Sequence, residues 1–155
     1  MARETFPYIA FSLPATEPFP NGYTVYRPLV YSRLTAPNGS TLFCVSEIDS
    51  GADQCVFPVS FAIALGLDPL TMKHQITGGV GNNGNVTHYG DLTIEIGIMV
   101  DVNGVLTFAP KFNFTTYAGF TAGLESQGIG LLGECGLFEN YLVTLDHKNR
   151  VFHIE

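Results

Sequence analysis

Residues Glu47–Cys55 read EIDSGADQC and lie between two apolar runs. Ser40 to Ile48 (STLFCVSEI) alternates on the way in, and Cys55 to Phe57 (CVF) follows directly. Alternation at period two marks a strand with one buried face. Asp49 therefore leaves the end of a strand and enters a tight loop of small residues, Ser50, Gly51 and Ala52. By itself Asp-Ser-Gly is ordinary turn chemistry. A carboxylate that one apolar strand delivers and another removes is placed in confinement, which a solvated surface acid does not require.

Working outward, the whole chain has 155 residues, the size of one domain or a little more. Hydrophobic residues make up 46% and charged residues 14%, an ordered composition that points to some apolar surface covered by a partner. The net charge of −7, with seven scattered Lys and Arg residues, argues against a nucleic-acid partner. Cys44, Cys55 and Cys135 cannot all pair within the chain and match no zinc spacing; they read as buried thiols in a reducing, cytoplasmic setting. No run approaches the ~18 apolar residues of a membrane span. The N-terminus has no basic segment followed by an apolar core, so no secretion signal is read there. Without one, the Asn-X-Ser/Thr triplets at Asn38, Asn85 and Asn113 carry no weight.

Residues 1–22, with Pro7, Pro14, Pro18 and Pro20, read as an extended arm that is not a packed element. The main domain then covers residues 23–155. Thr24 to Leu34 reads as a strand whose early part Pro28 demotes to an edge. Residues 36–39 form a turn, and Ser40 to Ile48 returns. Gln54 to Phe57 is a short strand, and Pro58 opens a short helix over Ser60 to Leu65 that Gly66 closes. Leu92 to Val100 alternates cleanly, Asn103-Gly104 is a two-residue hairpin turn, and Val105 to Phe114 continues as strand. A loop is expected over Tyr117 to Gly128, a strand over Ile129 to Leu132 and a helix over Glu134 to Asn140. Tyr141 to Leu145 and Val151 to Ile154 flank a last turn. Short strands with frequent turns and two short helices predict a mostly-β, barrel-like domain.

Gly79-Val80-Gly81-Asn82-Asn83-Gly84 spells a dinucleotide fingerprint, but NVTHY and a strand follow it. No helix N-terminus is there to meet a pyrophosphate. The segment reads instead as a flexible Gly-rich hairpin tip. His74, His88, His147 and His153 show no ligand spacing; a hairpin can bring His74 and His88 face to face, but solvent exposure is the better reading of each. Cys135, in GECG at a helix start, has a position that lowers a thiol pKa, although a buried structural role fits it better.

Four segments in order resemble the retropepsin-like (retroviral-type) aspartic protease family in its bacterial, single-domain form. They are YRPLVYSRL (26–34), IDSGADQCVFPVSFAIALGL (48–67), ITGGVGNNGNVTHYGDLTIEI (76–96) and IGLLGECGLFENYLVTLDHKNRVFHIE (129–155). The resemblance covers residues 24–155 and rests on the ordered set, not on one triplet. It implies an acid-protease barrel with two short helices and one Asp-Ser-Gly loop per chain. It implies an endopeptidase acting on polypeptides without cofactor or metal. A water is activated between two aspartates that share one proton. With one Asp-Ser-Gly per chain, the second carboxylate comes from a second copy, hence a two-fold homodimer. Asp49 takes the catalytic role, Ser50, Gly51 and Ala52 shape the active-site loop, and Gly78, Gly79, Val80 and Gly81 lie in the substrate-covering flap.

One departure stands out. Where the family carries an arginine after its apolar-apolar-Gly segment, this chain has Glu134, and the acid that the arginine pairs with is Asp53. The two acids are expected to lie near each other, which weakens the dimer and favours an alternative: a non-catalytic peptide-binding or dimerisation module of the same fold. The few charges around Asp49 point to apolar flanking residues in a substrate.

Overall fold

The computed structural model describes residues 2–78 and 84–155. Its strands are β1 (Glu4–Pro7), β2 (Ile9–Leu13), β3 (Tyr23–Arg27), β4 (Leu29–Thr35), β5 (Thr41–Ile48), β6 (Val56–Pro58), β7 (Lys73–Thr77), β8 (Asn85–Val102), β9 (Val105–Thr121), β10 (Gly130–Leu132), β11 (Val143–Asp146) and β12 (Val151–Ile154). The helices are α1 (Val59–Ala64) and α2 (Leu137–Asn140), and 3-10 turns lie at Pro69–Thr71 and Ala122–Leu124. The chain is mostly β, as its short alternating runs imply. It divides into two compact units, residues 1–29 with 141–155, and residues 30–140.

In the first unit, β12 is the centre of a three-stranded antiparallel sheet in the order β1-β12-β11. Phe6 pairs in register with Phe152, and their rings stack at 5.2 Å. This corrects the expectation that residues 1–22 contain no packed element: Phe6 is buried, and β1 has a hydrogen-bonding partner almost 150 residues away in the chain. The prolines fall at the end of β1 and in the connection after β2, where no ladder N–H is needed. β2 and β3 form a separate antiparallel hairpin.

In the second unit the strands run β4-β5-β10-β6-β9-β8-β7, and β4 pairs again with β8 over Tyr31–Thr35 and Thr93–Gly97. Leu34, Ile48, Phe57, Leu65, Ile94, Ile96, Phe120, Leu132 and Leu137 are fully or almost fully buried and form the core. Burying a side chain of this size contributes about 1.5–3 kcal/mol. Asn103 and Gly104 adopt φ of 53° and 82°, the double left-handed turn whose twist matches a tight hairpin. β9 runs on to Thr121, so the loop expected from Tyr117 starts later. The reason is tertiary: Gly119 to Thr121 pair with β6 as well as β8, and Ala118 and Phe120 are buried. Pro58 caps α1, and Gly66 ends it at φ +73°. α2 begins at Leu137, not Glu134, because Gly136 stands at φ +119°, outside the helical region, so no continuous helix can run through it.

Candidate functional site

The Asp49 loop is built by an inserted strand. β5 and β6 are consecutive in the chain but are not neighbours; β10 lies between them, parallel to β5 and antiparallel to β6. The loop must therefore step across a strand, roughly 10 Å from one neighbour to the next. Asp49 N–H donates to the Leu132 carbonyl at 3.0 Å, Glu134 N–H to Ala52 at 2.9 Å and Cys135 N–H to Asp53 at 2.9 Å. The loop is thus pinned along its length by residues 132–135. Gly133 makes this approach possible: a Cβ there would stand 2.4 Å from the Gln54 carbonyl oxygen and 2.5 Å from that of Ala52.

Within the loop, Gly51 N–H donates to Asp49 Oδ1 at 2.9 Å, and Ala52 N–H donates to the Asp49 carbonyl at 3.2 Å. One carboxylate oxygen is therefore oriented by the turn itself. Asp49 is half-buried and Ser50 is exposed.

The carboxylate opens onto a cleft of about 510 Å³. Asp49, Gly51, Ala52, Asp53 and Gln54 line one side, and Gln75, Thr77, Gly78, Asn85, Thr87 and Tyr89 line the other from β7, β8 and their ends. β7 and β8 are antiparallel, with Thr77 opposite Asn85. Of the residues singled out in the sequence, Asp49, Gly51, Ala52 and Gly78 come together here. Ser50 does not line the cleft, and Gly79, Val80 and Gly81 lie outside the described residues.

The polar wall was not read from the sequence. Gln75 Nε2 donates to the Tyr89 hydroxyl at 2.9 Å, and the Thr77 and Thr87 hydroxyls bond to each other. The signal was available: Gln75 and Thr77, and Thr87 and Tyr89, are each two residues apart on either side of the Gly-rich segment, so each pair shares a strand face. Val56, Leu124 and Leu131 also line the cleft and offer apolar counterparts to the apolar side chains expected in a substrate.

Asp53 and Glu134 do lie close, as expected, on adjacent backbone segments linked through the Gln54–Cys135 bridge. Desolvation pushes the Cys135 thiol up, and the carboxylates of Glu139, Glu134 and Asp53 add to it, opposite to the lowering expected of a helix start. Burial pushes Cys44 and Cys55 up to about 11. Proton linkage then sets the sign. Above the ordinary thiol range the unfolded chain releases these protons while the folded chain holds them, so stability falls as pH rises from 9 towards 11. A melting temperature that does not fall across that window would contradict it. His74 and His88 face each other, ring centroids 5.8 Å apart, but His88 is half-buried and not exposed as expected; its Nδ1 has no partner among the described residues.

No helix of the described residues is long and apolar enough to cross a membrane. No family model matches the sequence, and no curated protein matches it. Among solved structures, the chain is similar to a retropepsin-like aspartic protease from Rickettsia conorii, with a TM-score of 0.46 and 18% sequence identity, over 99% of this chain and 92% of that one.

Proposed function

We propose that this chain is an aspartic endopeptidase of the retropepsin type that works as a two-fold homodimer. In it, Asp49 from each copy activates a water between them. The observation that carries the reading is the placement of Asp49: a carboxylate oriented by its own turn, on a loop pinned to β10 and the residues after it, at the edge of a cleft of about 510 Å³. The ordered sequence segments around it support the same reading. The two carboxylates share one proton, since both cannot ionise side by side; one then accepts a proton from water while the other donates to the departing amine. Ser50, Gly51 and Ala52 keep the loop narrow enough for two copies to approach, and residues 78–81 belong to the flap. Three unpaired cysteines suit a reducing compartment such as the cytoplasm. The test is cleavage of an unstructured polypeptide at mildly acidic pH, with inhibition by pepstatin.

A second reading, a peptide-binding or dimerisation module without catalysis, is favoured by one observation, the two like charges Asp53 and Glu134 side by side. Both side chains are exposed, so the penalty is moderated by water, but like charges disfavour close association. Activity per chain is therefore expected to fall on dilution, because a monomer holds half a dyad. Glu134→Arg is expected to tighten the dimer and to extend activity to lower concentration. Sedimentation across a dilution series measures this, and an unchanged or weaker dimer in the variant contradicts it.

A further inference from the structure

We infer that the cleft selects a lysine or arginine side chain of its peptide, and that Asp53 is the specificity-determining residue. This rests on the reading that the cleft takes a polypeptide. Asp53 is exposed and lines the cleft. Its backbone is held by the bond from Cys135 N–H, yet its carboxylate makes no hydrogen bond or ion pair among the described residues. No lysine, arginine or histidine of the described residues lines this cleft. The charged neighbour across the Gln54–Cys135 bridge is Glu134, and the chain as a whole carries −7. The charged side chains that line this cleft among the described residues are therefore acidic, Asp49 and Asp53, and an incoming ammonium or guanidinium gains from them.

The surrounding side chains suit the same guest. Gln75 spends its amide N–H on the Tyr89 hydroxyl, which leaves its carbonyl oxygen as an acceptor. Gln54 stands beside Asp53 on the same wall. Val56, Leu124 and Leu131 line the same cleft, an apolar flank along which the methylenes of a long basic side chain can lie. Lys73 and His74 belong to an adjoining cavity of about 320 Å³ beyond Gln54 and Gln75, so the selected cation is placed on the Asp53 side. A neutral amide or an apolar residue uses none of these acceptors. A substrate glutamate meets Asp53 directly.

The experiment uses peptide sets that differ at one position at a time among Lys, Arg, Leu and Glu. Binding is read by fluorescence anisotropy on full-length Asp49→Asn protein, and cleavage on the wild type. At one position, Lys or Arg is expected to be preferred over Glu by about tenfold, the scale of one charge-assisted hydrogen bond. Adding Asp53→Asn is expected to bring that ratio close to one, and Asp53→Lys to reverse it towards Glu. No basic preference at any position, or a preference that survives both substitutions, overturns the inference. Basic selectivity in binding that depends on Asp53, without cleavage by the wild type, sustains it and removes the catalytic reading. Cleavage without basic preference does the reverse.

Discussion

Asp49→Asn is expected to lower peptide cleavage by about a thousandfold, the usual worth of a positioned acid–base group, while the protein keeps its fold and its association. The local geometry explains why the two effects separate. Asn Oδ1 can accept from Gly51 N–H as the aspartate does, so the turn survives. The backbone bonds that pin the loop to residues 132–135 do not involve the side chain. What disappears is the group that takes a proton from water and shares one with its counterpart. For the same reason the wild-type rate is expected to be greatest below neutral pH and to decline towards alkaline pH, where a dyad loses its shared proton. Steady-state cleavage beside circular dichroism and sedimentation checks both parts. Activity above a few per cent in a folded variant would assign the chemistry to another group.

Gly133→Ala is expected to be the most damaging single-methyl change in the loop region, at about 3 kcal/mol, the upper range for forcing atoms into a packed site. That corresponds to a melting temperature lowered by about 10 °C for a chain of this size. The new methyl would meet two backbone carbonyl oxygens, of Gln54 and Ala52, at 2.4 and 2.5 Å. Backbone cannot swing aside as a flexible side chain can, so either β10 or the Asp49 loop must move. Cleavage is expected to fall even at temperatures where the variant stays folded, because displacement of the loop moves the carboxylate. Gly78→Ala is the control for stability: its φ is not in the left-handed region, and a Cβ there meets nothing within 4 Å. If both variants melt alike, the close approach at Gly133 does not hold the loop.

Much of the local structure was legible in the sequence. Asp49 at the end of an alternating strand, the hairpin turn at Asn103-Gly104 and the helix between Pro58 and Gly66 each depend on side chains within a few residues of one another. Proline lacks an N–H, glycine reaches positive φ, and alternation sorts one face from the other. Those preferences act wherever the rest of the chain lies. The adjacency of Asp53 and Glu134 was legible too, but only through the resemblance of ordered segments.

Tertiary structure decided what lies beside each strand. Nothing in Ile129–Leu132 says that it enters between β5 and β6, because a strand's ladder is completed by backbone groups that are the same in every residue. For that reason β1 was missed as a partner of β12, and β9 was ended too early, before its pairing with β6. The cleft has the same origin. Asp49, Gln75 and Thr87 line one cleft because the pairings of β10 and of β7 with β8 bring separate segments together. Period two shows which side chains share a face of one strand; which faces meet is settled only when the non-local hydrogen bonds form.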